Sequence, residues 1–243
     1  MSYNSPPNRG SWSRPAYSSG ARVGVDFGLR QYMLRVYNFM AAGLGLTGLV
    51  AYAAVATGFY QQIAGTPLIW LVMLAPIGVV LFLSFRIEHM GVATAQAAFW
   101  GYAALMGFSL AGVFLVYTGV SVARVFFITA ATFVAMSLYV YTTRRDLSQF
   151  GSFLFMGLIG IVLASLVNIF IASSALQFAI SVIGVLVFTG LTAWDTQRIK
   201  EIYLESDPGD VLTKKALMGA LALYLDFINL FVLLLQLTGQ RRD

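Results

Sequence analysis

Asp195 and Asp226 are the acidic residues that sit inside apolar stretches long enough to cross a membrane. A carboxylate at the middle of a spanning helix costs roughly 2.5–3.5 kcal/mol on insertion scales, whereas each Leu or Phe returns only about 0.3–0.6. Ionisable groups kept at that cost usually face a bundle interior or a water-filled path, so the chemistry expected of the pair is the handling of protons or cations. Two carboxyls that meet in a low-dielectric site cannot both stay ionised; they share a proton and titrate as a unit. Loss of that proton leaves adjacent negative charges that repel each other or recruit a cation. Ca²⁺ takes about six to eight oxygens, and two carboxylates supply at most about four. A Ca²⁺ site at Asp195 and Asp226 would therefore be weak and completed by Asn229, backbone carbonyls or water. Such a site suits permeation, which requires the ion to leave. The plainer reading is that each aspartate hydrogen-bonds a neighbouring helix or pairs with an arginine near the interface.

The spacing says why these two should meet. The last two apolar runs are joined by residues that include Ser206, Asp207, Pro208, Gly209 and Asp210, a run of turn formers, and the two aspartates lie equally far along the chain from position 210.5, inside that turn region. In an antiparallel hairpin, residues equidistant from the turn come level. On a helical wheel Gly219, Ala222, Asp226, Asn229 and Leu233 fall on one stripe of the last run, with Gln236 just beyond. Gln177, Ser181, Gly184, Phe188, Thr192 and Asp195 do the same on the preceding run. Two small or polar stripes thus face one interior, with Ser165 and Asn168 of the fifth run able to add to it. Asn229 and Thr192 are the expected supporting polar groups, although interhelical hydrogen bonding alone explains such residues well.

The elements that must position the pair follow from composition. The chain is 59% hydrophobic and 10% charged, with a mean hydropathy of +0.80, far from the roughly 25% charged residues of an ordinary soluble domain. An all-α membrane protein is expected, one seven-transmembrane helical bundle rather than several domains. The runs lie at about 34–57, 68–87, 91–117, 121–143, 151–172, 175–197 and 216–238. Residues 1–29 hold no apolar run and are rich in Ser, Pro, Gly, Tyr and Arg, so they read as a disordered tail rather than a cleaved signal, leaving 30–243 as the membrane domain. Gly43, Gly45 and Gly48, Gly157 with Gly160, and Gly184 with Gly190 are expected to let helix backbones approach closely.

Cysteine is absent, which removes thiol catalysis and thiolate metal sites, and the single His89 cannot build a multi-histidine centre. No obligatory cofactor is expected. The net charge of +5 does not point to nucleic acid, because the basic residues stand at the ends of apolar runs. Alternating the sides groups Arg9, Arg14, Arg22, Arg30, Arg35, Arg86, Arg144, Arg145, Arg198, Lys200, Lys214 and Lys215 against Arg124, Arg241 and Arg242. By the positive-inside rule the N-terminus is cytoplasmic and the C-terminus outside. Arg241 and Arg242 argue mildly the other way and leave a re-entrant final segment open.

The segment Ala222-Leu223-Tyr224-Leu225-Asp226-Phe227-Ile228-Asn229-Leu230-Phe231 resembles the closing signature of the Bax inhibitor-1 family, also called the transmembrane Bax inhibitor motif family. Trp194-Asp195-Thr196-Gln197 with Ile199 and Lys200 resembles its companion motif, and Arg145-Asp146-Leu147-Ser148 with Phe153 resembles its loop between the fourth and fifth spans. The resemblance covers nearly everything after the tail. It implies a seven-helix fold with the last helix central and a pH-sensitive Ca²⁺ leak whose di-aspartyl sensor maps onto Asp195 and Asp226. It also implies a basic latch to the first aspartate near the end of the second span, for which Arg86 and His89 are both candidates; each also reads as an ordinary interfacial residue. Arg86 would carry a permanent charge, whereas His89 would add a titration near neutral pH.

With no organelle-targeting presequence in view, a bacterial plasma (inner) membrane member is expected. Its partners are the lipid bilayer, Ca²⁺ and protons, together with unnamed membrane proteins. Suppression of cell death does not carry over to organisms without that pathway. Among rival functions, an intramembrane aspartyl protease could use two carboxylates as acid and base, but the Gly-x-Gly-Asp and Pro-Ala-Leu motifs of the presenilin-like family are missing. A retinal protein needs a lysine buried in the last helix, and Lys214 and Lys215 stand only at its entrance. A membrane scaffold or stress-response regulator without transport is the remaining alternative. No enzymatic activity is expected.

Overall fold

The computed structural model describes residues 19–143 and 145–242; the first eighteen residues of the expected tail and Arg144 of the expected basic loop lie outside them. Seven helices are long and apolar enough to cross a membrane: α1 (Phe27–Ala56), α2 (Leu68–Arg86), α3 (Val92–Val116), α4 (Gly119–Thr142), α5 (Ser148–Ile171), α6 (Ser174–Glu201) and α7 (Gly209–Thr238). Short connections join them, the first carrying a helix of its own at Phe59–Ala64, so the chain is an all-α bundle of the expected class.

Helix ends differ from the apolar limits in ways that matter for the site. Helical backbone already starts at Ser19, inside the stretch expected to be tail. A helix closes its own hydrogen bonds and need not stop where apolar sequence stops. The emerging turn is also held: Tyr203, from the connection after α6, lies over Gly28 and stacks at 5.4 Å on Tyr32. At the C-terminal end α6 runs past Gln197 to Glu201, with Arg198 and Lys200 in its last turn, where positive charge suits the helix dipole. α7 starts at Gly209 rather than 216. Pro208 precedes it in an extended conformation and Asp210 occupies the first turn, both favourable at a helix N-terminus.

α7 is an unbroken helix of 30 residues, about 45 Å long, with no internal turn at which a re-entrant segment would fold back. Its end is tied to the α3–α4 turn: Thr118 N donates to Gln240 O at 3.0 Å, Arg242 N to Val116 O at 2.9 Å, and Gln240 N to Ser121 Oγ at 2.9 Å. Arg241 and Arg242 therefore lie at the end of the bundle opposite the α6–α7 connection. α7 is also the most buried span, with 67% of its apolar window inside the protein against 11–39% for the others. It packs on α6, α1, α4 and α3.

Small residues set the α6–α7 and α5–α6 seams. A Cβ at Gly184 would stand 2.7 Å from Leu233, and one at Gly190 2.7 Å from Leu154, so larger residues there would force the helices apart. Gly43 and Gly157 likewise lie against Phe99 and Val187. Gly45, Gly48 and Gly160 face open space and do not mediate close approach, contrary to expectation. Gly48 instead lines the space left between α1 and α4.

Candidate functional site

The register of α6 against α7 brings the two aspartates level. Gly184 meets Leu233, Ile199 meets Gly219, and Ser181 Oγ donates to Gln236 Oε1 at 3.1 Å, all pairs centred on nearly the same point of the chain as Asp195 and Asp226. The hairpin is not symmetric, however. Lys215 Nζ donates to Ile202 O, just past the end of α6, so the first turns of α7 project about 9 Å further. The Lys215–Asp207 ion pair folds the connection back along those turns.

At the level of the pair, the carboxyls of Asp195 and Asp226 stand within hydrogen-bonding reach of one another. Asp226 is 5% exposed and Asp195 is half-buried. Among the described residues no N–H or hydroxyl reaches Asp226 Oδ2, which is buried without a partner. Such an oxygen is tolerable only if the pair holds a proton, because an unpaired buried charge is far more costly than a buried neutral carboxyl. The single O–H···O contact this implies would join α6 to α7 inside the bundle.

The expected supporting groups do not complete the site. Thr192 is fully buried, but its Oγ1 donates to Phe188 O at 2.8 Å, and Thr196 Oγ1 donates to Thr192 O at 2.7 Å. Both hydroxyl protons are thereby committed to the α6 backbone. Asn229 is exposed and donates from Nδ2 to Leu225 O at 2.8 Å, turned away from the carboxyls. Arg86 and His89 are exposed at the end of α2 and neither bonds to Asp195. Among the described residues the cation whose charge acts on Asp195 is Arg198, one turn along α6, which also lies 5.3 Å over the Trp194 ring. Trp194 in turn is pressed on Gly151 of α5, where a Cβ would come within 2.6 Å of the indole nitrogen.

Two further constellations were missed by sequence reasoning, and a third joins Asn168, Gln177 and Gln236, which the helical wheel had turned toward one interior. Gln197 clamps the α4–α5 loop to α6: its Oε1 accepts from Leu147 N at 3.0 Å, while Nε2 donates to Asp146 Oδ1 at 3.2 Å and Glu201 Oε1 at 2.7 Å. Asp146 also accepts from Ser148 N at 2.8 Å. Hydrogen bonds from Ser148, then from Gln197, hold the exposed Asp146 carboxyl below its ordinary value. At the other end of the bundle Asn168 Nδ2 donates to Gln177 Oε1 at 3.1 Å and Gln177 Nε2 to Gln236 Oε1 at 2.8 Å, linking α5, α6 and α7. Between α1 and α4, Tyr37 stands beside Ser137, Thr196 and Tyr141, yet Tyr37 Oη and Ser137 Oγ are buried without a partner in hydrogen-bonding geometry. The signal for the Gln197 clamp was present, since the two motifs it joins had both been singled out.

Among the described residues no group of three or more His, Asp or Glu converges on one point. The pair is therefore no pre-formed cage for a hard cation; it is a two-carboxyl contact at a helix seam. Residues 29–243 match the family described as Inhibitor of apoptosis-promoting Bax1. The chain belongs to the Bax inhibitor-1 family. A protein of Rickettsia prowazekii is 50% identical over 219 residues, covering 90% of this chain and 93% of its own. The inner membrane protein YbhL of Escherichia coli K12 is 47% identical over 219 residues, 88% of this chain and 94% of YbhL. A Caulobacter vibrioides protein is 45% identical across 97% of this chain and 98% of its own. This Bax inhibitor-1 family member thus shares nearly its whole length with these relatives.

Proposed function

We propose that this protein is a pH-sensitive cation leak, for Ca²⁺, in a bacterial inner membrane, gated by Asp195 and Asp226. The observation that carries the reading is the buried Asp226 carboxyl, whose Oδ2 has no donor and whose acidic neighbour is on the adjacent helix. With one proton shared, a charge-assisted O–H···O⁻ bond clips α6 to α7 and the seam stays shut. A second proton removes the charge, and neutral hydrogen bonds are roughly half as strong, so acid loosens the clip and favours conduction. Arg198, the cation beside Asp195, opposes that second proton and takes the part expected of Arg86 or His89. The N-terminus lies in the cytoplasm and the C-terminus outside, because the basic residues gather at the end of the bundle that carries the α6–α7 connection. The seven apolar spans and the name of the YbhL relative support an inner-membrane location.

The test is Ca²⁺ flux into vesicles reconstituted with the wild type, Asp195→Asn or Asp226→Asn, read from pH 5 to 8. Each Asn variant is expected to flatten the pH response, because an amide holds the clip without a titrating proton. Arg86→Gln and His89→Gln are expected to leave the response in place, whereas Arg198→Gln shifts it toward higher pH. Flux and pH response unchanged in both Asn variants refute the assignment.

A further inference from the structure

α1 packs on α3 and α7, and α4 packs on α6 and α7, but α1 and α4 make little close contact with each other. The gap between them is a groove that opens sideways. It comprises voids of about 270, 430 and 520 Å³, joined through shared walls at Leu44 and Phe126 and at Tyr37 and Tyr141. The middle void is lined by apolar side chains such as Met40, Ala130 and Phe133. Tyr37 Oη and Ser137 Oγ, the latter on a side chain only 7% exposed, are left without partners on its wall. The third void, at the end where α1 emerges, is flanked by Arg30 and Lys200. Lys200 lies 4.5 Å over the Tyr141 ring, and neither cation is paired with a carboxylate among the described residues.

We infer that this groove holds one anionic glycerophospholipid, its phosphate between Arg30 and Lys200 and one acyl chain laid between α1 and α4. The dimensions fit. From Arg30 to Leu44, along the two voids nearer the cations, the α1 wall runs about 21 Å, against about 15 Å for the hydrocarbon of one leaflet plus its headgroup zone; the 270 Å³ void, which continues to Ala51, lies beyond the reach of that chain. The chemistry also fits in order along the groove: two cations, then phenol and hydroxyl groups at the depth of a glycerol ester, then an apolar trough. An apolar protein helix would fill the trough but would bring no anion to Arg30 and Lys200, the latter otherwise met by the Val140 carbonyl and the Tyr141 ring.

Native mass spectrometry of the full chain in detergent, with phosphatidylglycerol and phosphatidylcholine of identical acyl chains added in equal amounts, tests this. One phosphatidylglycerol per chain is expected to survive desolvation at least about tenfold more often than phosphatidylcholine, since each cation near a headgroup favours negative charge. sn-Glycerol 3-phosphate, which has the phosphate without the chains, is expected not to compete. Arg30→Gln with Lys200→Gln should bring the two lipids level, and Ala130→Trp, which fills the trough, should abolish both adducts at unchanged helical content. The charge variants alter exposed or half-exposed side chains, so the lipid ratio decides the matter even if Ala130→Trp does not fold. Equal retention of the two lipids by the wild type, competition by glycerol phosphate alone, a dimer in place of a lipid adduct, or an adduct that persists in both variants would each overturn the inference.

Discussion

A double-mutant cycle on the carboxyl pair measures the clip directly. Asp195→Ala, Asp226→Ala and the double variant would be unfolded reversibly in SDS–detergent mixtures at pH 7 and again at pH 4. Asp226 is almost fully buried, and its polar neighbour is Asp195, so the coupling energy reports that one contact. Alanine leaves no amide to make a substitute bond, and a carboxyl left alone on the seam can take up a proton, so neither single variant strands a buried charge. A hydrogen bond to a charged group contributes about 1.5–3 kcal/mol, and the coupling at pH 7 is expected in that range. Once two protons are bound the contact becomes an ordinary interhelical hydrogen bond, for which about 0.6 kcal/mol is typical within membranes. The coupling should therefore fall by more than about 1 kcal/mol between the two pH values. A coupling near zero at pH 7, or one of the same size at both, would show that no shared proton joins α6 to α7.

Two other contacts make separable predictions. Asp146, whose folded value lies below that of the unfolded chain, contributes its hydrogen bonds fully above the ordinary carboxylate range near about pH 4 and loses them as the pH falls through the depressed value. Exchange protection of the Ser148 amide, corrected for intrinsic rate, should therefore collapse below that range. The Leu147 amide, held by Gln197 Oε1, should keep its protection, and parallel loss at both positions would contradict the assignment. Thr47 bonds Tyr224 Oη at 2.6 Å and Ala103 O at 2.8 Å, joining α1, α7 and α3. Thr47→Val strands the buried Tyr224 phenol and should cost about 1–3 kcal/mol, while Thr47→Ser should cost much less. Equal melting temperatures for Val and wild type in detergent would remove Thr47 from the bundle's polar framework.

What was legible in the sequence is what depends on one helix or on neighbours along the chain. Seven apolar runs, the turn at 206–210 and the meeting of Asp195 with Asp226 all follow from length, spacing and hairpin register. Asn229 misled because three residues along α7 carry it about 60° around the helix from Asp226, past the edge of the α6 interface. Once outside, its amide is satisfied by its own backbone. Arg86 misled because a position at the end of a span gives depth and not direction; the side chain stays in the open. The groove, the Tyr37 cluster and the joining by Gln197 of two motifs that had been singled out separately were out of reach for a different reason. They join α1 to α4 and the α4–α5 loop to α6, contacts between elements distant in the chain, about which periodicity within an element says nothing.

The same asymmetry of seams bears on how an ion would pass. α6 and α7 interdigitate through glycine positions where a Cβ would be 2.7–3.0 Å from its neighbour, so that seam has no slack for a coordinated cation. Ca²⁺ needs about six to eight oxygens, whereas the pair offers at most about four and the nearby threonine hydroxyls are committed to backbone carbonyls. Conduction in the proposed sense therefore requires the carboxyls to separate and new oxygens to arrive, which means movement of α6 relative to α7. The α1–α4 groove is where the bundle has room to absorb such a shift, and Thr196, adjacent to Asp195 on α6, already stands beside Tyr37 on the groove wall. A lipid wedged there would hold Lys200 of α6, so occupancy of the groove and protonation of the pair would both bear on that helix.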